Sequence, residues 1–242
     1  MIRAIIFDFN GVIADDETPH LRCFQQALAE HGLSLTKNDY YDTHLGMDER
    51  TCAAALLTAS DGICDRNLLQ AMMDRKATLF REYQAIHIPP LFPGVVEFVK
   101  RAGAHYRLAI ATGGWREQID HALRGTEIER AFAVIVSADD IATGKPDPAI
   151  YHATLKRLTA VDPRPPLLTA AQCVVVEDSR AGIRSAKAAG MRVLALATTY
   201  PPDQLMEADL VLPNLEGLRP ESIERLISAD RLSEPTRHVP HR

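Results

Sequence analysis

Two carboxylates stand just past short apolar runs. Asp8 follows Ala4-Ile5-Ile6-Phe7, and Asp178, beside Glu177, follows Cys173-Val174-Val175-Val176. A third run, Leu108-Ala109-Ile110-Ala111, ends in Thr112-Gly113-Gly114, and Lys145 lies in a Gly-Lys-Pro-Asp-Pro turn. Apolar runs of this length read as strands buried on both faces. Ligands of open parallel sheets sit outside the carboxyl ends of such strands. A single strand-end acid, a loop lysine or a lone threonine is ordinary; all of them on one rim point to chemistry. That chemistry is phosphoryl transfer. Asp8 and Asp178, from different strands, are hard oxygen ligands of the kind Mg²⁺ takes. The Thr112 hydroxyl and the amides of Gly113 and Gly114 can donate to phosphate oxygens, and Lys145 offsets the crowded negative charge. With its charge so held, Asp8 can attack phosphorus and form an aspartyl phosphate. Glu177 suits a metal-bound water or the support of a ligand better than direct ligation.

The elements that must bring these residues together can be read in order. Asp8 ends the first strand, and Gly11 turns the chain sharply after it. A helical period follows: Thr18 and Pro19 read as N-cap and first helical residue, Leu21, Phe24 and Leu28 share a face, and Gly32 stops the helix. Further helices are expected over 37–44, from about 48 to 57, and over 65–84. The last carries a stripe of Leu69, Met72, Lys76, Leu79 and Tyr83, in which the lysine stem can lie along apolar surface. Residues 87–94 hold three prolines and end this helical stretch. Strands are then expected at 107–112, 133–137, 172–177, 192–197 and 210–212, alternating with helices at 94–102, from 115, 148–158, 179–189 and 221–229. Such alternation makes a parallel sheet, so the expected fold is α/β, Rossmann-like, with a helical unit inserted after strand one. The expected division is a catalytic core of residues 1–14 and 93–230, a four-helix cap of 15–90, and a mobile tail of 231–242.

Composition sets outer bounds. The 242 residues suffice for one large domain or two unequal ones. A net charge of −5 offers no basic surface for nucleic acid. The four cysteines, Cys23, Cys52, Cys64 and Cys173, form no C-x-x-C pair, so reduced thiols in a cytoplasmic protein are expected. Asp8 interrupts the first apolar run too early for a secretion signal, and no stretch reaches membrane-spanning length. A monomer or weak dimer acting on a small phosphorylated molecule is the expectation.

Taken in order, Asp8-Phe9-Asn10-Gly11-Val12, Thr112-Gly113, Gly144-Lys145-Pro146 and Glu177-Asp178-Ser179-Arg180-Ala181-Gly182 resemble the landmarks of the haloacid dehalogenase superfamily. The similarity is to the branch of phosphoglycolate phosphatase and β-phosphoglucomutase-like enzymes, whose helical cap follows strand one, and it covers nearly the whole chain. The resemblance implies that Asp8 is the nucleophile and that Mg²⁺ is held by Asp8, Asp178 and the backbone carbonyl of Asn10. It implies that Thr112 and Lys145 bind the transferring phosphate, under a cap that closes and excludes water. Arg50, in the stretch Gly46-Met47-Asp48-Glu49-Arg50 where the family carries its specificity loop, is then a candidate for a second anionic group. Dehalogenases of the superfamily lack the metal-binding acids, and the cap lysines Lys37 and Lys76 match no Schiff-base motif, so these chemistries fit less well.

One position departs from the pattern. Phosphatases of the family carry an aspartic acid two residues after the nucleophile, which protonates the leaving oxygen and later activates water; this chain has Asn10. The carbonyl role survives the change and the proton role does not. General acid–base help is worth roughly 10²- to 10⁴-fold. Asp16 or His20 can take over the proton, the substrate can be an acyl or aryl phosphate that needs little protonation, or the chain binds a phosphorylated ligand with little turnover. A phosphomutase is the rival within enzymes.

Overall fold

The computed structural model describes residues 1–45, 49–61, 65–163 and 166–233. Its centre is β1, Ala4–Phe7, four apolar residues without a solvent face. Parallel partners lie on both sides, β2 (Arg107–Ala111) and β4 (Cys173–Glu177), with Ile6 level with Ala109 and Val175. Adding β3 (Val134–Val136), β5 (Arg192–Leu196) and β6 (Leu210–Leu212) gives a six-stranded parallel sheet in the order β3-β2-β1-β4-β5-β6. The order reverses between β1 and β4, the kind of switch point at which a crevice opens beyond the strand ends. Asp8 and Asp178 flank it.

The strand period of two sorts side chains to opposite faces. Ala4 and Ile6 join the apolar layer that holds α7 (Ala149–Val161) and α8 (Arg180–Ala188). Ile5 and Phe7 join the layer of α5 (Val95–Gly103), α6 (Arg116–Leu123) and α9 (Ile223–Ser233). Because α9 runs to Ser233, the expected tail cannot begin at 231; its remainder, 234–242, lies outside the described residues.

Between β1 and α5 come α1 (Glu17–Ala29), α2 (Lys37–Asp39) leading into a π-helical turn over Tyr40–His44, α3 (Glu49–Asp61) and α4 (Arg66–Gln84). The first helix starts earlier than Thr18-Pro19 suggests. Asp16 has the N-cap place without making a cap bond, because Asn10 engages its carboxylate. The chain enters and leaves this helical unit side by side: Ala14 bridges Leu91, Phe92 N–H donates to Ile13 C=O at 2.9 Å, and Asp15 N–H donates to Pro90 C=O at 2.9 Å. Among the described residues, no helix is long and apolar enough to cross a membrane.

Candidate active site

The backbone at the end of β1 brings Asp8 to the crevice, its N–H still bonded to Val176 C=O across the sheet at 2.9 Å. Two glycines make room for the acids on β4. Gly11 adopts φ +75°, and a Cβ there would lie 2.0 Å from Asp178 Oδ2. A Cβ on Gly182 would lie 1.7 Å from Glu177 Oε1. Asp8, Glu177 and Asp178 are all buried, and ligand oxygens of the three lie within 4.8 Å of one another.

Lys145 is the counter-charge. Its Nζ is 2.9 Å from Asp8 Oδ1 and 2.6 Å from Glu177 Oε1. Burial would lower the lysine, but the two carboxylates outweigh it and hold the ammonium charged. One ammonium does not balance three carboxylates. Burial, opposed by Lys145 and reinforced by Glu177, pushes Asp8 up to about 7. Burial together with Glu177 and Asp8 raises Asp178 well above the ordinary carboxylate range. The excess of two negative charges on hard oxygen donors is what a divalent cation such as Mg²⁺ would neutralise, so the residues present fit that ion. Asp8 and Asp178 face the cleft and would hold it.

Glu177 is differently employed. Its Oε1 accepts from Lys145 and, at 2.9 Å, from the Tyr151 hydroxyl. Its Oε2 accepts from the N–H groups of Asp178 and Ser179 and from the Ser179 hydroxyl, at 3.0–3.1 Å. These bonds occupy both oxygens and turn the side chain toward Lys145, away from the cleft wall. Thr112 is buried at the end of β2, where its hydroxyl donates to Asn10 Oδ1 at 3.4 Å and accepts from Gly114 N–H at 3.1 Å. Gly113, Gly114 and Lys145 line the same cleft, which measures about 550 Å³ out to solvent.

The opposite wall comes from the helical unit. Asn10 Nδ2 donates to Asp16 Oδ1 at 2.7 Å and lies 3.3 Å from His20 Nε2. His20 is buried and stacked on Phe80 at 4.0 Å, so it is no surface histidine. His20 Nδ1 lies 2.8 Å from Lys76 Nζ and 3.4 Å from Glu49 Oε1, and its Nε2 lies 3.7 Å from Asp16 Oδ2; burial and Lys76 would lower the ring, but Asp16 and Glu49 outweigh them and raise it. Lys76 lies against the Phe24 and Phe80 rings, but its ammonium is fully buried and ion-paired with Glu49 and does not reach water. Glu49 in turn accepts from Trp115 Nε1 at 2.8 Å and Gln118 Nε2 at 3.3 Å, both at the start of α6. Tyr40 donates its hydroxyl to Glu17 at 2.5 Å. Arg50 does not reach the cleft. Successive helical residues point about 100° apart; with Glu49 turned inward, Arg50 is exposed beside Trp115 and Ala142. Of the rest of that stretch, 46–48 lie outside the described residues. Sequence reasoning missed Glu17, Tyr40, His44 and Glu49 as cleft residues; a lysine on an apolar helical stripe was the one signal of a buried ion pair.

A family profile described as haloacid dehalogenase-like hydrolase matches residues 5–196. The chain belongs to that family. Its relatives place it in the branch of phosphoglycolate phosphatases and β-phosphoglucomutases, as a phosphoric monoester hydrolase with relatives named as phosphatases. Protein CbbY of Rhodobacter capsulatus is 33% identical over 93% of this chain and 99% of its own length. The phosphorylated carbohydrates phosphatase of Thermotoga maritima is 31% identical over 78% of this chain and 82% of its own. The crystal structure of CbbY from Rhodobacter sphaeroides in complex with phosphate is 27% identical and covers 90% of this chain and 96% of that one, with a TM-score of 0.76. An Asp-to-Asn mutant of the same CbbY, in complex with xylulose-(1,5)bisphosphate, has a TM-score of 0.74 at the same identity and coverage.

Proposed function

We propose that this chain is a Mg²⁺-dependent phosphatase of small phosphorylated sugars, working through an aspartyl phosphate on Asp8. The observation that carries the reading is the pair of cleft-facing acids, Asp8 and Asp178, with Lys145 Nζ 2.9 Å from Asp8 Oδ1 in one buried cluster. Phosphatase names among the relatives and the phosphate complex of a CbbY support it.

When bound, Mg²⁺ would neutralise and orient an oxygen of the phosphoryl group. Lys145, together with that cation, would favour the anionic form of Asp8 and offers its ammonium to the same group, and Thr112 can turn its hydroxyl from Asn10 toward a phosphoryl oxygen. Asp8 Oδ then attacks phosphorus, and the P–O bond to the sugar breaks with its electron pair leaving on the sugar oxygen. Asn10 can donate a hydrogen bond to that oxygen but gives it no proton. The titratable side chains beside it are Asp16 and His20, which lie 2.7 and 3.3 Å from Asn10 Nδ2. Water attacking phosphorus returns Asp8 and releases phosphate.

A second reading, a phospho-sugar binder with little turnover, is favoured by Asn10 itself, since a CbbY with an Asp-to-Asn change is found in complex with xylulose-(1,5)bisphosphate. Phosphate release from acetyl phosphate, p-nitrophenyl phosphate and glucose 6-phosphate, with Mg²⁺ and with EDTA, separates the two. Turnover of the activated esters that EDTA abolishes is the result expected of the phosphatase. No turnover of any of the three, with orthovanadate still bound, would establish the binder.

A further inference from the structure

Resting on the sugar-phosphate reading above, we infer that the substrate is a monophosphate whose leaving group is a neutral or amine-bearing polyol, and that Glu17 and Glu49 reject a second phosphate. The cleft has two chemically distinct halves. The sheet side carries Lys145 and the strand-end acids, whose excess charge a divalent cation offsets, and it suits one phosphoryl group. The helical side carries two carboxylates, Glu17 and Glu49, with His20, His44 and the Tyr40 hydroxyl. Lys145 is the sole lysine or arginine among the described residues lining the cleft.

Lys76, the one buried cation of the helical side, is already used. It pairs with Glu49 and lies beside His20, and it stands behind them and not at the cleft wall. In the closed cleft Trp115 and Gln118 also bond the Glu49 oxygens from the α6 side. Burial alone would raise the Glu49 carboxyl, but Lys76 and His20 outweigh that and hold it below its ordinary value, so its charge persists. A second phosphate entering here would lose its hydration and meet carboxylates in place of cations, which is strongly unfavourable in a buried site. Hydroxyl and ammonium groups meet acceptors that suit them: carboxylate oxygens take two or more donated hydrogen bonds each.

The test is a matched ligand set on the full chain with Mg²⁺, read by isothermal titration at low temperature: glucose 6-phosphate, glucosamine 6-phosphate and glucose 1,6-bisphosphate. The bisphosphate should bind at least ten-fold more weakly than either monophosphate, about 1.4 kcal/mol. Any smaller gap, or a reversed one, overturns the inference while leaving the phosphatase reading intact. If none of the three binds and p-nitrophenyl phosphate is not hydrolysed, the phosphatase reading falls and the inference with it. Glu49→Gln, which leaves the Lys76 charge uncompensated, should narrow the gap at least five-fold, and Glu17→Gln should narrow it too. Because each variant is its own reference, a ratio unmoved in both overturns the assignment to these two carboxylates.

Discussion

Gly11 and Gly182 are the positions where one added methyl group would strike the site. At Gly11 an alanine Cβ would meet Asp178 Oδ2 at 2.0 Å and Thr199 Oγ1 at 2.9 Å, on a backbone of positive φ that itself costs a non-glycine residue roughly 1–2 kcal/mol. Gly11→Ala is expected to lower Mg²⁺-dependent turnover of acetyl phosphate more than ten-fold and to shift the urea midpoint downward. Unchanged kinetics would mean that Asp178 does not have to stay where it is. Asn10→Asp works in the other direction. Asn10 Nδ2 sits 2.7 Å from Asp16 Oδ1, so an aspartate at 10 would face a second carboxylate at hydrogen-bonding distance. Two carboxyls that close cannot both ionise readily, and the shared proton makes a poised general acid. Hydrolysis of glucose 6-phosphate should rise by about two orders of magnitude, within the range for general acid catalysis. No rise would refute the idea that the missing acid limits the chain. The strand-end residues were legible because a two-sided apolar run exposes its ends. The pairing of Glu49 with Lys76 was not: on amphipathic helices a charge that pairs inward and one that faces water share the same period, and only tertiary packing separates them.

At the scale of elements, α1, α3 and α4 are joined through a buried ionic centre as well as an apolar seam. Lys76 of α4 is fully buried, and Glu49 of α3 and His20 of α1 are nearly so. Removing one partner of a buried pair leaves an uncompensated charge at a cost of about 3–5 kcal/mol, whereas removing both together costs far less. Lys76→Met should therefore lower unfolding stability by about that amount in urea titration, with most of it recovered in the Lys76→Met, Glu49→Gln double variant. Additive losses would show that the pair contributes only packing. The pair also fixes a pH dependence. The folded carboxyl of Glu49 is held below its unfolded value of 4.5 by Lys76 and His20, against burial, with Trp115 and Gln118 donating from α6. A depressed folded value stabilises the fold above the unfolded one and loses that stability as pH falls below it. The melting temperature should drop more steeply below pH 4.5 in the native chain than in Glu49→Gln. The helix order and most helix starts were readable from the sequence, with N-caps at Asp65, Gly94, Trp115, Pro148 and Ser179, but the start of α1 was not. Asp16, engaged by Asn10, displaced the expected cap, a bond between residues that no local pattern links.

Across the whole molecule, hydrogen bonds tie the helical unit to the sheet side at several places among the described residues. Residues 13–15 and 90–92 pair as the two crossing strands of a hinge. On one side Glu49 accepts from Trp115 and Gln118; on the other Arg180 Nη2 donates to Asp42 C=O at 2.5 Å, and the Tyr200 hydroxyl donates to Tyr41 C=O. Arg180 also lies 4.7 Å over the Tyr200 ring, which ties the two donors together. Net hydrogen bonds of this kind contribute about 0.5–1.5 kcal/mol each, so the two latches together keep the cleft shut by only a few kcal/mol. That margin suits a lid that must open once per turnover. Trp115 is the only tryptophan of the chain and belongs to one latch, so its emission can report on the other. If the helical unit pivots as a body about the hinge, cutting the far latch with Arg180→Ala should weaken the Glu49–Trp115 bond without touching it. Trp115 emission should then move to the red and acrylamide quenching should at least double, and Mg²⁺ with orthovanadate should reverse both by drawing the walls together around the phosphate analogue. Arg180→Ala with native emission and native quenching would mean that the two sides of the unit move separately, and that closure is a property of single loops.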